Sequence, residues 1–180
     1  MEYHGFFQEG DFNWCFNNFE GFFVPVFDKN GYIQGLSMHL DKPFNNNQDI
    51  WFSSNNKING TKAKSWLMTS NLNNSSDSAI ITDNFILGNL IRENCDTPLI
   101  AFQNISNSYI ILRAIEKTNI RNITFVIRLK QANENLDYII NRIFRNLIPL
   151  NYNIDIKYID DYKDIFEEKF NVNYTLNKAT

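Results

Sequence analysis

Two cations, Arg128 and Lys130, end a segment with the pattern of a buried strand, Ile123-Thr-Phe-Val-Ile-Arg-Leu-Lys130. Positive side chains at such a position repel a divalent metal ion and attract phosphate. One interpretation is an anion or phosphate seat, assisted by the positive amino end of the helix that follows. The other is a surface ion pair with Asp83 or Asp161. In neither case do we expect a cofactor.

Asp83 and Asn84 follow another short apolar run, residues 79–82. Asp83 is a candidate for a residual acid/base, and Asn84 is a candidate for contact with an anion or nucleic acid. The competing interpretation makes Thr82 or Asp83 a helix N-cap, because both residue types accept hydrogen bonds from the free amides of a first turn. For Asp83 we favour the cap.

Lys57, Lys62 and Lys64 lie close in sequence to Trp51 and Trp66. Such a strip of basic and aromatic side chains could bind single-stranded nucleic acid, because bases stack on aromatic rings. The alternative, which we prefer, places both tryptophans in the core and leaves the lysines in solvent.

Other kinds of site are not indicated. Cys15 and Cys95 form no Cys-x-x-Cys pair, and His4 and His39 have no ligand spacing, so a zinc site is not expected. Neither histidine lies beside a nucleophile in a Ser-His-Asp pattern. The seven glycines are scattered and make no phosphate-binding loop.

The composition is that of a folded protein, which we expect to be cytoplasmic. Hydrophobic residues make up 43% and aromatic residues 15% of the 180 residues, which excludes a disordered class. The net charge of -3 argues against strong non-specific nucleic-acid binding but allows a local basic patch. No signal peptide or membrane-spanning run is visible. Asparagine forms roughly a sixth of the chain, a bias typical of AT-rich coding sequences in low-GC bacteria, their phages and plasmids.

The first half of the chain has the alternating pattern of β-strands. We expect strands over residues 21–27, 32–40 and 49–53, a tight turn at 28–31, a polar loop over 41–48 and a fourth short strand at 66–68. Together they predict an antiparallel meander. The buried face of the second strand should carry Tyr32, Leu36, Met38 and Leu40. Eight phenylalanines between Phe6 and Phe27 predict an aromatic core.

From Ser78 onwards, strand and helix patterns alternate. The expected strands are 79–82, 98–102, 123–129 and 153–158, and the expected helices are 84–93, 108–118, 133–147 and 162–170. The buried face of the third helix should carry Leu136, Ile139, Ile140, Ile143, Phe144 and Leu147. Such alternation implies parallel strands with helical crossovers, and ligands of these sheets lie at the carboxyl ends of the strands. Asp83, Arg128 and Lys130 should therefore share one rim.

A series of short motifs extends over most of the chain. They are Gly5-Phe-Phe, Trp14, Gly21-Phe-Phe-Val-Pro-Val, Asp28-Lys-Asn-Gly-Tyr-Ile-Gln-Gly35, Leu40-Asp-Lys-Pro43, Trp51-Phe-Ser-Ser54, Gly60-Thr61 and Ile80-Ile-Thr-Asp-Asn84. In this order they resemble the Toprim-containing primase-like proteins of phages, plasmids and integrative elements. All but the last resemble the segment that precedes the Toprim domain. The last stands where that family has a strand ending in Thr-Glu-Gly.

The resemblance implies a fold class and domain boundaries. The expected chain is α+β: an N-terminal antiparallel β-meander followed by an α/β Toprim-like (Rossmann-like) parallel four-stranded sheet with flanking helices. The expected divisions are an aromatic-rich β subdomain at residues 1–70, a linker at 71–77, the Toprim-like domain at 78–172 and a tail at 173–180.

The resemblance also implies a degenerate metal site. Toprim chemistry uses a glutamate after the first strand and an Asp-x-Asp after the third to hold Mg²⁺ at phosphates. These positions look like Asp83 and Arg128-Leu-Lys130 here, so we expect no metal. The family's zinc-binding and helicase parts are also expected to be absent. Asp160, Asp161 and Asp164 look like a remnant of a late acidic motif; they either supply carboxylates or, as we prefer, cap a helix in solvent.

Three functions remain open, and the oligomeric state is left undetermined. The favoured one is a catalytically degenerate Toprim-like module of a mobile element that binds single-stranded nucleic acid or a replication or defence protein, without a membrane. The second is a metal-dependent phosphoryl-transfer enzyme of primase or nuclease type with displaced carboxylates. The third is a protein-binding decoy that makes no contact with nucleic acid.

Overall fold

The computed structural model describes residues 6–9, 13–16, 19–45, 47–55, 57–61, 67–73, 75–103, 109–128 and 134–159. The chain divides into two compact units, one built mainly from residues up to Trp66 and the other from Leu67 onwards. The first unit is antiparallel β-structure, and the second combines a mostly parallel sheet with helices. The mixed α+β class expected from the sequence is therefore observed.

Three antiparallel strands form the sheet of the first unit: β3 (Gly21–Phe27), β4 (Ile33–Phe44) and β5 (Asn47–Trp51). Earlier in the chain, a separate hairpin pairs β1 (Phe6–Glu9) with β2 (Asn13–Phe16). The turn between β3 and β4 closes where it was predicted, with the Gly31 amide donating to the Asp28 carbonyl. Gly31 has a positive φ of 84°, which explains why glycine stands there.

The polar loop predicted over residues 41–48 is wrong. β4 continues to Phe44 and β5 already begins at Asn47, and these two residues pair across the hairpin. Asn45 has a positive φ of 49°, which asparagine tolerates better than most residues. The polar residues therefore lengthen the hairpin instead of separating the two strands.

The core of the first unit is less aromatic than predicted. Its buried cluster consists of Met38, Leu40 and Phe52. Phe22 and Phe23 are 50% and 45% exposed. Tyr32 is 72% exposed and precedes β4, so it does not join the buried face expected for it. Alternation within a short strand identifies a shared face but does not show how fully the fold covers that face.

A five-stranded sheet in the order β10-β9-β7-β8-β6 forms the second unit. Its strands are β6 (Met68–Ser70), β7 (Ser78–Thr82), β8 (Leu99–Ala101), β9 (Asn122–Arg128) and β10 (Asn153–Ile159). β10, β9, β7 and β8 are mutually parallel, and β6 runs antiparallel to β8. The strand predicted at 66–68 for the meander thus belongs to this second sheet. A strand of three residues is too short for its sequence to indicate its partner.

The sheet lies between helices on its two faces. Helix α1 (Phe85–Asn94) packs on the face that carries Thr82 and Ala101. Helices α2 (Tyr109–Ile115) and α3 (Glu134–Leu147) share a buried cluster with the opposite face. β9 has five consecutive buried residues, Ile123 to Ile127, as a strand covered on both sides requires.

The buried face predicted for α3 is confirmed at Ile140, Ile143 and Leu147. Phe144 is partly buried and its ring centroid lies 5.3 Å from that of Phe125 in β9. The side chains of residues 134–139 lie outside the described set, as do the predicted helix at 162–170 and the tail at 173–180.

Hydrogen bonds at the amino ends of three neighbouring strands hold their register. The Asp77 carbonyl accepts from the backbone amide of Asn122, and the Asp77 carboxylate accepts from the Asn122 side-chain amide at 3.0 Å. The Asn122 side-chain oxygen accepts in turn from the Asn153 side chain at 2.9 Å. These contacts align β7, β9 and β10 at one end, so their opposite ends also come together.

We predict that Gly21→Ala destabilises the first unit. Gly21 has φ of 148°, and an added Cβ would lie 2.1 Å from the backbone carbonyl oxygen of His39. Backbone atoms cannot move aside as a flexible side chain can, so we expect a loss of about 3 kcal/mol in urea unfolding. Gly31→Ala is the control, because its Cβ would meet open space and only the positive φ would cost about 1 kcal/mol. Equal effects of the two variants would contradict the prediction.

Candidate functional site

The carboxyl ends of β7, β8 and β9 form one rim of the sheet of the second unit, here called the carboxyl rim. Thr82 at the end of β7 pairs with Ala101 of β8 and with Val126 of β9. Gln103 and Arg128 each lie two residues beyond that level in the adjacent chains. The structure therefore brings polar residues from three separate segments to one rim, as the alternating pattern predicted for Asp83 and Arg128.

Arg128 is the last residue of β9 and is partly buried. It pairs with Ile159 of β10 on one side of the strand. Side chains alternate along a strand, so Arg128 lies on the same face as Val126 and Thr82, the face on which α1 packs. The Arg128 Nε atom is buried and makes no hydrogen bond, although the residue has other contacts. Lys130 lies outside the described residues.

The helix cap is Asn84, and the expectation that Thr82 or Asp83 would cap α1 is wrong. The Asn84 side-chain oxygen accepts from the Leu87 amide at 2.9 Å, and Asn84 has extended φ and ψ angles, as a cap requires. Asn84 is 3% exposed, so this oxygen is engaged in holding the helix. Asp83 is thereby released from capping and stands between β7 and the cap as a partly buried carboxylate.

Gln103 is a rim residue that sequence reasoning missed. It is 6% exposed and directly follows Phe102, whose amide donates to the Thr82 carbonyl at 2.9 Å. The available signal was a long polar side chain placed immediately after a fully apolar strand. Sequence reasoning read the position as the start of a loop, since burial of Gln103 depends on how neighbouring chains surround it.

Thr82 carries a buried polar group at the same rim. The residue is fully buried, and its hydroxyl oxygen has no hydrogen-bond partner among the described residues. Its methyl carbon faces α1, 3.8 Å from the position that a Cβ on Gly88 would take. An unsatisfied buried hydroxyl costs stability, so Thr82 is either a tolerated defect or a group that bonds a ligand.

The described side chains of the carboxyl rim do not fit a magnesium ion. Mg²⁺ takes hard oxygen ligands, whereas here one carboxylate, Asp83, stands near one guanidinium, Arg128. No group of three or more His, Cys, Asp or Glu that could hold a metal occurs in the part of the chain that the structure describes. Asp160, Asp161 and Asp164 lie outside that part.

The basic and aromatic strip predicted in the first unit can be located only in part. Lys57 is exposed, and its ammonium nitrogen lies 5.1 Å from the centroid of the Phe7 ring. Trp51 ends β5 and is partly buried. Lys62 and Lys64 lie outside the described residues, so the strip stays a prediction.

A histidine–carboxylate pair in the first unit was also missed. His39 Nδ1 lies 2.7 Å from Asp49 Oδ1, and the two residues are directly opposite in β4 and β5. The Phe22 ring packs on the other side of the imidazole at 5.1 Å between centroids. The strand register created this row, which no sequence spacing indicated.

Comparison with solved structures shows the fold. A DNA primase domain from Pseudomonas aeruginosa matches with a TM-score of 0.57 at 10% identity, covering 88% of this chain and 49% of that one. The Aquifex aeolicus primase with its zinc-binding and RNA polymerase domains matches with a TM-score of 0.56 at 10% identity, covering 92% and 41%. A DnaG primase catalytic domain bound to ssDNA matches with a TM-score of 0.56 at 9% identity, covering 91% and 54%.

The chain therefore has a fold similar to that of DnaG-type primase catalytic domains and spans about half the length of those structures. At 9 to 10% identity, the likeness concerns the fold alone. No protein-family model matches the chain, and no curated protein matches it. None of the described helices combines the length and the apolar character that a bilayer crossing requires.

We predict that Gly88→Ala displaces α1 and with it Asp83 and Asn84. A Cβ at position 88 would lie 2.6 Å from the Ala101 side chain and 3.3 Å from the Met68 sulfur. Overpacking of this kind costs about 1 to 3 kcal/mol, measurable by urea unfolding. In the double variant Gly88→Ala/Ala101→Gly the two methyl groups no longer collide, so part of the loss should be recovered. Simple addition of the two single effects would contradict this contact.

We predict that Thr82→Val stabilises the second unit by about 1 kcal/mol, because valine has nearly the same shape and removes the unsatisfied hydroxyl. Thr82→Ser is the matched control: it keeps the hydroxyl and loses the buried methyl, so it should destabilise. Thermal unfolding of both variants measures the effect. If Thr82→Val destabilises as much as Thr82→Ser, the hydroxyl has a partner within the folded chain.

Proposed function

We propose that this protein is a catalytically degenerate Toprim-like, primase-like module of a mobile genetic element that binds nucleic acid at the carboxyl rim. Arg128 and Lys130 hold phosphate there, and Asp83 occupies the place of the Toprim acid/base without performing catalysis. The nucleic acid is single-stranded, and no cofactor or metal takes part. The asparagine-rich composition agrees with the AT-rich coding of phages and plasmids.

The position of Arg128 is the observation that carries the proposal. It ends β9 directly beside β7 in a sheet whose ligands are expected at the carboxyl ends of strands. In Toprim chemistry this place belongs to a carboxylate that binds a metal. A guanidinium there reverses the local charge, and it forms paired hydrogen bonds with phosphate oxygens.

The likeness to primase domains supports a nucleic-acid ligand. A DnaG catalytic domain of this fold has been solved bound to ssDNA. The present chain covers about half of that structure, so the activity of a whole primase does not follow from the likeness. Binding without synthesis is the part of that function that a cationic rim is able to perform.

We expect wild-type protein to bind a labelled single-stranded oligonucleotide in fluorescence anisotropy, with affinity that falls as salt rises and does not require Mg²⁺. Arg128→Glu/Lys130→Glu should weaken binding at least about tenfold, because two attractive phosphate contacts become repulsive. Arg128→Gln/Lys130→Gln removes the charges more gently, and it serves where charge reversal at the partly buried position 128 impairs folding.

The matched control is Lys29→Glu/Lys42→Glu, which makes the same charge change at two exposed residues of the first sheet. An equal loss of affinity in the control would show that total charge matters rather than the carboxyl rim. Absence of any oligonucleotide binding by the wild type would contradict the proposal and leave a replication or defence protein as the partner, as in the decoy hypothesis.

The alternative enzymatic function has a separate test. Primer synthesis or strand cleavage that requires Mg²⁺ or Mn²⁺, and that survives Arg128→Glu, would indicate displaced carboxylates. Asp160, Asp161 and Asp164 would then be the residues to replace with asparagine. The proposal expects no such activity.

A further inference from the structure

The outer surface of the α2–α3 layer carries a concentration of exposed cations, here called the α2–α3 patch. Its members are Arg113, Lys117, Arg121, Arg142 and Arg145. The first three lie in or just after α2, and the last two lie in the second half of α3. α2 and α3 contact each other and share one buried cluster on one face of the sheet. The five cations therefore belong to one layer of the second unit.

The patch lies toward the amino ends of the parallel strands, opposite to the carboxyl rim. Each crossover helix starts near the carboxyl end of one strand and ends near the amino end of the next. α2 is followed by Arg121 and then by β9, which begins at Asn122. α3 ends at Leu147, shortly before β10 begins at Asn153. Arg121 and Arg145 thus approach the amino ends of two neighbouring strands.

The charge of the patch is at odds with the charge of the chain. Over residues 109–121 and 140–153 five positive side chains face one negative side chain, Glu116, a local charge of +4. The whole chain carries -3, so all other residues together carry -7. Asp77, at the start of β7, is hydrogen-bonded to Ser78 and Asn122. Charge segregated in this way creates a local field that a net charge of -3 conceals.

The chemistry of the patch suits a phosphate backbone. Four of its five cations are arginines, whose planar guanidinium groups bind phosphate with two hydrogen bonds. Arg113 lies over the Tyr109 ring at 5.8 Å, and Arg121 lies over the Tyr152 ring at 5.5 Å. The exposed side chains of Asn146, Asn151 and Asn153 add neutral amides. Arginine, asparagine and tyrosine are residues that make most contacts to nucleic-acid backbones.

The favourable interaction of cations with helix carboxyl ends explains only part of this set. Arg113 and Arg145 lie in the last turns of α2 and α3, where positive charge stabilises a helix. Arg121 lies beyond α2, stacked on an aromatic ring of the next connection, and Arg142 lies a turn earlier in α3. The helix dipole offers no reason for charge at those two positions.

We infer that the α2–α3 patch is a second nucleic-acid binding surface, which contacts the phosphate backbone without reading sequence. It is separate from the carboxyl rim and does not depend on the function proposed for that rim. Together the two surfaces would let one strand, or two segments of one strand, contact opposite ends of the same sheet.

The test measures binding of single-stranded and duplex oligonucleotides over a range of salt concentrations for Arg142→Glu/Arg145→Glu, with Arg113→Glu/Lys117→Glu as a second pair. Each pair should weaken binding about tenfold or more and make the slope of log affinity against log salt shallower by about 1 to 2, as for the loss of two phosphate contacts. Arg142→Gln/Arg145→Gln should show the same direction with a smaller effect. Circular dichroism spectra confirm that each variant is folded.

The rim variant Arg128→Gln/Lys130→Gln and the charge control Lys29→Glu/Lys42→Glu separate the two proposals. A shallower slope in the patch variants, with the rim variant unchanged, supports the patch and removes the carboxyl rim. Patch variants that behave like the charge control overturn the patch and leave the rim intact. Displacement of bound oligonucleotide by an equal charge concentration of polyglutamate would also overturn it, because an acidic protein would then be the better occupant.

Discussion

The parallel register of β8, β7 and β9 is the constraint on which the candidate site depends. Hydrogen bonds that pair Thr82 with Ala101 on one side and with Val126 on the other fix where the three chains leave the sheet. The contacts of Asp77, Asn122 and Asn153 hold the opposite ends at the same level. Without this register, Asp83, Gln103 and Arg128 would be three unrelated positions in a sequence.

Close packing of α1 places the first of these chains at the rim. Gly88 lets the helix approach Ala101 so closely that even a methyl group would collide. The Asn84 cap then fixes where the helix begins, one residue after Asp83. Because Asn84 satisfies the first turn, the Asp83 carboxylate is left for a role at the rim. The packing of one helix thus decides which of two adjacent polar residues is structural.

Electrostatics differ between the two ends of the sheet of the second unit. At the carboxyl end, one carboxylate and one guanidinium come together at partly buried positions, where charge interacts more strongly than in water. At the amino end, exposed arginines accumulate on α2, α3 and the following connections. A fold known from primases therefore presents anions with two kinds of cationic surface, one narrow and partly buried, the other broad and solvated.

The sequence by itself determined the alternation of strands and helices, the antiparallel meander, the resemblance to Toprim proteins and the cation at the end of β9, because these follow from local patterns and residue types. It did not reveal the antiparallel partner of β6, the pairing of His39 with Asp49, the burial of Gln103 or the identity of the helix cap. Each of those depends on which segments become neighbours. Short strands, single polar residues and adjacent cap candidates carry too little local information to specify a neighbour, so tertiary packing alone decided them.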